Sequence, residues 1–144
     1  MKALQMIDLS DDQLTSIWRV LAGILQLGNI CFTSCEKESF EFAVIPSETE
    51  IQIIANLLHI SADLLQRAIT HRVTETCYDR IFTPLSVESA IDARDAIAKI
   101  LYSLLFDWLL MKVNEWMAPL EMDSTVGILD IHGFEVTSFV HFMV

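Results

Sequence analysis

A helical pattern that runs from about residue 87 to residue 117 constrains the fold more than any other feature of the sequence. Ser86 stands directly before it, where a capping side chain is expected. Large apolar side chains recur at helical spacing on two of its faces. One face carries Ile97, Leu101, Leu104, Leu105 and Trp108, and the other carries Ile100, Phe106 and Leu110. A helix that is apolar over most of its circumference is typical of the interior of a larger protein.

Residues 96–113 are the stretch that most resembles a membrane span. Lys99, Asp107 and Lys112 interrupt it, so no run of about 18 apolar residues remains. The N-terminal residues also lack the apolar core of a secretory signal. We therefore predict a buried helix and no membrane span.

The composition suggests a chain whose surface is partly covered by something else. Apolar residues make up 53% of the sequence, yet the net charge is −11. Such an acidic balance is unlike the basic footprint of a nucleic-acid-binding protein, so we predict no nucleic-acid partner. The 3 cysteines are an odd number without a signal peptide, which favours a reducing compartment over a disulfide framework.

Three further helices and several strands complete the predicted secondary structure. Ser10 and Gln13 form a capping box for the first helix, and a second capping box is predicted at residues 47–50. Ser61 is the expected cap of the third helix. The four predicted helices are 10–28, 47–59, 61–69 and 86–117.

The strand-like segments are short and form two predicted hairpins. Residues 30–33 pair with residues 40–44, and residues 71–84 form a second, exposed hairpin. Residues 126–129 are predicted to form a buried strand that leads into a loop ending at residue 135. These elements together predict a helix-rich α+β fold.

Asp130 and Gly133 form an Asp-x-x-Gly sequence at the end of the last predicted strand. A carboxylate in that position can hold a Mg²⁺-bound water, and a glycine lets a backbone N–H approach a phosphate oxygen. Taken alone, such a tetrapeptide is more often an ordinary turn.

Longer motifs around this tetrapeptide resemble those of the myosin motor domain. Residues 128–135 (ILDIHGFE) resemble its switch II signature, and residues 22–30 (AGILQLGNI) resemble the end of one of its helices. Residues 92–99 (DARDAIAK) and 101–114 are similar to a further segment of that motor. The motifs occur in the order and at about the spacing of the family. The chain thus resembles an internal segment of an unconventional myosin motor domain, from its upper half to the end of switch II. Among the classes of unconventional myosin, the motifs are most similar to class fifteen.

The resemblance implies a fold, an activity and partners. The fold would be part of the P-loop NTPase motor, with small β-hairpins and one buried sheet strand that ends in switch II. The family is an actin-activated Mg²⁺-ATPase that couples ATP hydrolysis to movement along filaments. The implied cofactors are ATP and Mg²⁺. The implied partners are the actin filament and the rest of a motor domain, in the cytoplasm at the actin cytoskeleton.

The resemblance also assigns roles to residues in two regions. In switch II, Asp130 would bind Mg²⁺ through water, the Gly133 N–H would bind the γ-phosphate, and Glu135 would be catalytic, pairing with an arginine of switch I around the attacking water. The hairpin at 71–84 corresponds to a loop that contacts actin. Its implied contact residues are Arg72, Glu75, Tyr78, Asp79 and Arg80.

Asp79 occupies a position that is either acidic or a phosphorylatable Ser or Thr in this family, sixteen residues before Asp95. An aspartate would supply the negative charge permanently. The alternative for this lone residue is a solvated turn carboxylate.

The 144 residues contain neither a glycine-rich phosphate loop with its lysine nor a switch I. Residues 136–141 also depart from the sequence that follows switch II in the family. We therefore expect the chain by itself to be inactive as an ATPase. Two alternatives remain: a non-enzymatic segment that contacts actin through the hairpin, and a small helical protein in which the switch II match is vestigial.

Overall fold

The computed structural model describes residues 6–37 and 40–118, together with residues 4, 124, 126 and 127. Within these residues the chain forms four helices and four strands, and this confirms the predicted helix-rich α+β class. The elements are α1 (Asp11–Leu27), β1 (Thr33–Lys37), β2 (Phe40–Val44), α2 (Thr49–Leu58), α3 (Ala62–Thr70), β3 (His71–Glu75), β4 (Arg80–Pro84) and α4 (Val87–Met117).

The strands of the described part of the chain form two separate antiparallel pairs. β1 pairs with β2, and Thr33 lies opposite Val44. β3 pairs with β4, and Glu75 lies opposite Arg80 at the far end of that pair. Neither pair belongs to a larger sheet within the described residues.

The first strand is displaced from its predicted position. The prediction placed it at residues 30–33, but β1 begins at Thr33 and continues through polar residues to Lys37. Ile30 is instead 2% exposed and lies in the core directly after α1. The apolar character of residues 30–33 reflects burial at the end of a helix. The strand register is set by pairing with β2, which a single-sequence pattern does not report.

Of the two predicted capping boxes, one is formed in the structure and the other is not. At α1 the capping box is formed: the Gln13 N–H donates to Ser10 Oγ (3.3 Å), and the Ser10 N–H donates to Gln13 Oε1 (2.9 Å). The second capping box is not formed. Glu48 already has helical backbone angles and caps α2 without a side-chain bond, while Ser47 Oγ accepts only from the Thr49 N–H at 3.4 Å. Ser47 is one position too early to reach the third residue of the helix.

The core lies between the end of α1, the loop after it, and helices α2 and α3, and one face of α4 packs against it. Each fully buried aliphatic side chain contributes on the order of 1.5–3 kcal/mol. The buried cluster is Leu27, Ile30, Ile45, Ile51, Ile54, Leu65 and Ile69, and Ile97, Ala98 and Leu101 of α4 pack against it. Helices α1 and α3 pack directly on α4, while α2 packs on α1 and α3.

A second face of α4 remains exposed in this structure. Leu104 was predicted to share the face of Ile97, but it is 61% exposed. Leu101 packs on the core and Leu104, three residues later, does not: the two positions lie about 60° apart around the helix, and Leu104 falls outside the face that packs on the core. The exposed apolar side chains of this face are Ile100, Leu104, Phe106, Leu110 and Met111. Within the described residues, no helix is long and apolar enough to cross a membrane.

Two arginines that the sequence analysis did not single out fasten the elements together. Arg19 of α1 donates to the carbonyl oxygens of Leu57 (3.1 Å) and Asn56 (2.7 Å) at the end of α2. A cation at a helix C-terminus satisfies carbonyls that have no partner within the helix. Arg94 of α4 donates to the Ile30 carbonyl (3.1 Å), and its guanidinium carbon lies 5.8 Å from the centre of the Phe32 ring.

Gly23 permits the close approach of α1 to α2. It is buried, and a Cβ at this position would lie 3.0 Å from Leu58 Cδ2 and 3.2 Å from Leu58 Cγ. These separations are tighter than most Cβ contacts in proteins, so the Leu58 side chain would have to move by a few tenths of an ångström.

We predict that Gly23→Ala lowers the free energy of unfolding by about 1 kcal/mol. Overpacking costs about 1–3 kcal/mol, and the better helix propensity of alanine returns up to about 1 kcal/mol. The control is the same substitution in a Leu58→Ala background, where the clash is gone and Gly23→Ala should stabilise. Urea denaturation of the four proteins measures both effects. Destabilisation of equal size in both backgrounds would contradict the close-contact explanation.

Candidate functional site

The hairpin formed by β3 and β4 projects from the helical body and contains the predicted actin-contacting residues. Helix α3 leads into it without a loop, since Thr70 ends the helix and His71 begins the strand. The Leu85 N–H donates to the Thr70 carbonyl (2.9 Å), and the Leu85 carbonyl accepts from the Ala43 N–H of β2 (2.8 Å). Ser86 follows and caps α4 by accepting from the Ser89 N–H at 3.2 Å. The base of the hairpin is thus joined to α3, β2 and α4.

The tip of the hairpin is a hydrogen-bonded turn between Thr76 and Asp79. The Thr76 N–H donates to the Asp79 carbonyl at 2.9 Å. The Thr76 hydroxyl donates to the same carbonyl (3.0 Å) and accepts from the Asp79 N–H (3.0 Å). A threonine side chain that bonds to the backbone in this way stabilises a turn. These bonds fix where the side chains of the turn are presented.

Charged groups and one aromatic ring surround this turn. Asp79 Oδ1 accepts from the Arg80 N–H at 2.8 Å. Arg80 Nε lies 2.7 Å from Glu75 Oε1, and both side chains are exposed. Tyr78 is 99% exposed. Since the Glu75–Arg80 pair is internally neutral, the carboxylate of Asp79 is the uncompensated charge of this tip.

The structure brings four of the five predicted actin-contacting residues together and leaves the fifth apart. Glu75, Tyr78, Asp79 and Arg80 line one open depression at the tip. Arg72 lies near the base instead, where it lines a groove with Asp92 of α4. The difference follows from strand geometry: Arg72 pairs with Thr83, three positions before the Glu75–Arg80 pair.

The predicted switch II residues Asp130, Gly133 and Glu135 lie outside the described residues. The strand predicted to precede them is not seen where the structure describes it. Val126 and Gly127 have no regular secondary structure, and Val126 is 94% exposed. A buried strand requires a neighbouring strand for its N–H and C=O groups, and none of the described strands pairs there.

In the part of the chain that the structure describes, no three His, Cys, Asp or Glu side chains are grouped as a metal site. The guanidinium carbon of Arg67 on α3 lies 5.9 Å from the centre of the Phe82 ring on β4. This contact was not predicted from the sequence, because the two residues belong to different elements and no local pattern connects them.

The architecture is that of a helical body that carries a short, anchored two-stranded projection, and comparison with known proteins identifies its family. The family model of the myosin head (motor domain) matches residues 1–143. Human unconventional myosin-XV is 51% identical over 140 residues, which cover 97% of this chain and 4% of that protein. Human unconventional myosin-XVB is 49% identical over 138 residues, covering 94% of this chain and 4% of that protein.

A more distant relative also belongs to the unconventional myosins. Rat unconventional myosin-Ic is 35% identical over 142 residues, which cover 94% of this chain and 13% of that protein. The chain belongs to the myosin motor-domain family, and its similarity to unconventional myosins confirms the resemblance found in the motifs. It spans a small part of the length of each of these relatives.

We predict that Thr76→Val loosens the hairpin tip without unfolding the body. The substitution keeps the shape of the side chain and removes two hydrogen bonds, while the backbone bond of the turn remains. An exposed bond of this kind contributes about 0.5 kcal/mol. Amide hydrogen exchange at residues 76–80 should therefore accelerate about twofold or more. Thr74→Val, which removes a hydroxyl from β3 outside the turn, is the control; equal acceleration by both variants would exclude a specific role for Thr76.

Proposed function

We propose that this chain is a segment of an actin-based motor that couples ATP hydrolysis to movement along actin filaments, and that the β3–β4 hairpin is its actin contact. The observation that carries the proposal is the hairpin tip, which presents Tyr78 and Asp79 to solvent on an anchored ribbon. The location implied is the cytoplasm, at the actin cytoskeleton. The unconventional myosins to which the chain is similar support the motor assignment.

The charge distribution at the tip defines the kind of surface it would meet. Glu75 and Arg80 neutralise each other, and the bond from the Arg80 N–H to Asp79 leaves the charge of that carboxylate intact. A tip with one net negative charge beside an exposed tyrosine suits a basic patch with some apolar surface. Arg72 stands nearer the base and would meet a different part of the filament.

The role of Asp79 can be separated from its structural bond because asparagine keeps the acceptor oxygen and loses the charge. In a motor domain that carries this segment, Asp79→Asn and Asp79→Ala should both weaken actin activation at low salt, and Asp79→Glu should retain most of it. The change should be several-fold at most and should shrink as salt rises, since exposed charge pairs are weak and screened. Basal ATPase activity should stay near that of the unaltered protein.

The measurement is actin-activated ATPase against actin concentration at two salt concentrations. Asp63→Asn removes an exposed carboxylate from α3 and is the matched control. If Asp79→Asn behaves as the unaltered protein while Asp79→Ala does not, the residue acts through its turn hydrogen bond and the acidic contact is wrong. If neither differs, Asp79 is a solvated turn residue.

The nucleotide site of the proposed motor would include switch II. By resemblance, Asp130 would bind Mg²⁺ through water, the Gly133 N–H would bind the γ-phosphate, and Glu135 would help position the attacking water. The donor set fits this assignment, because Mg²⁺ prefers carboxylate and water oxygens and a glycine admits a phosphate close to the backbone. Mg²⁺ bound to ATP would neutralise charge on the phosphates. A phosphate loop in the P-loop NTPase fold would come from outside these 144 residues.

For this reason we predict that the 144-residue chain alone does not bind ATP. Titration calorimetry with Mg-ATP should give no binding heat, because the backbone cradle and lysine that hold the phosphates are not in the sequence. A micromolar Kd, about −8 kcal/mol, would contradict this. Asp130→Ala is the accompanying variant: any heat that it abolishes would come from switch II itself.

Two other functions remain as alternatives. A non-enzymatic segment that contacts actin would co-sediment with filaments and show no nucleotide binding in any longer form. A small helical protein without a motor role would do neither. Co-sedimentation of the chain with actin filaments, with Asp79→Asn as a comparison, distinguishes these two.

A further inference from the structure

The direction in which the hairpin leaves the body is not fixed by its backbone bonds alone. Backbone hydrogen bonds of Leu85 with Thr70 and Ala43 hold the hairpin at its base. Beyond it, β3 and β4 bond only to each other among the described strands. A two-stranded ribbon on its own is marginally stable and free to bend and twist. A side chain that reaches from the body to the ribbon would restrict this movement.

Arg67 is such a side chain. It lies on α3 one turn before the hairpin, and its guanidinium carbon is 5.9 Å from the centre of the Phe82 ring on β4. This separation is within the range of a cation–π contact. Phe82 pairs across the ribbon with Val73, so a force on its ring acts on both strands.

We propose that Arg67 is a positioning residue that fixes the direction of the hairpin through the Phe82 ring. The proposal rests on the proposed role of the hairpin as the actin contact. Each strand has five residues, so the tip lies roughly 17 Å from the base at about 3.3 Å per residue. A swing of roughly 10° at the base would displace the tip by about 3 Å, several times the spread of about 0.5 Å in donor–acceptor distances of hydrogen bonds. Arg67 thereby lowers the entropy that the tip would lose on binding.

The orientation of the hairpin can be measured without actin. Cys77 is exposed at the tip and accepts a spin label once Cys31 and Cys35 are changed to serine. A second label at Ser103→Cys, on the exposed side of α4, provides the reference point. Arg67→Ala and Phe82→Leu should each broaden the distribution of distances between the two labels. Phe82→Tyr, which retains an aromatic ring, should keep it narrow.

The same variants are then tested for binding to actin filaments by co-sedimentation. Arg67→Ala should weaken binding about two- to fivefold, the size expected for an exposed cation–π contact. If Arg67 acts through the ring, Arg67→Ala should have no further effect in a Phe82→Leu background. Lys99→Ala removes one exposed positive charge from α4 and controls for the loss of charge.

The outcomes separate this inference from the proposed function. An unchanged distance distribution in Arg67→Ala overturns the inference whatever actin does. A broadened distribution with unchanged actin binding overturns the part of the inference that links Arg67 to actin, because the direction of the hairpin would then not affect binding. If Arg67→Ala weakens actin binding as much in the Phe82→Leu background as in the unaltered chain, Arg67 contacts actin directly and the inference is overturned. If the unaltered chain does not bind actin, the proposed function fails first, and the positioning role falls with it.

Discussion

The structure depends on the burial of one face of the long helix α4. Helices α1, α2 and α3 share one aliphatic cluster, and Ile97, Ala98 and Leu101 of α4 pack against it. Because non-directional apolar contact alone would allow the helices to slide, polar contacts set their positions. Arg19 fixes α1 at the end of α2, and Arg94 fixes α4 at the segment after α1.

The position of the hairpin formed by β3 and β4 depends on this packing. Helix α3 is held by Leu65 and Ile69 in the core, and β3 continues directly from it. Leu85 closes the base and is followed at once by the cap of α4. The ribbon therefore connects, through a few covalent and hydrogen bonds, to α3 and α4, and a load on the tip would act on both helices.

Sequence reasoning succeeded where the determining chemistry is local. Ser10 and Ser86 were recognised as caps because a helix start needs an acceptor within three residues, and the hairpin turn follows from residues 71–84 alone. It failed where the partner is distant in sequence. The position of β1 depends on its register against β2. The exposure of Leu104 depends on which helices pack against α4. The contact of Arg67 with Phe82 depends on the direction of the ribbon. The motifs identified the family because several of them occur in order, which no single one would have done.

The absence of a loop between Thr70 and His71 restricts how sequences of this kind can change. One extra residue at this junction would turn every side chain of β3 to the opposite face of the ribbon, because strand faces alternate with each residue. The pairing of Val73 with Phe82 would then be lost unless β3 changed its register against β4. Insertions and deletions are expected to be tolerated at the turn, where added residues displace neither strand. We therefore expect a change of chain length to disturb the structure more at the base of the hairpin than at its tip.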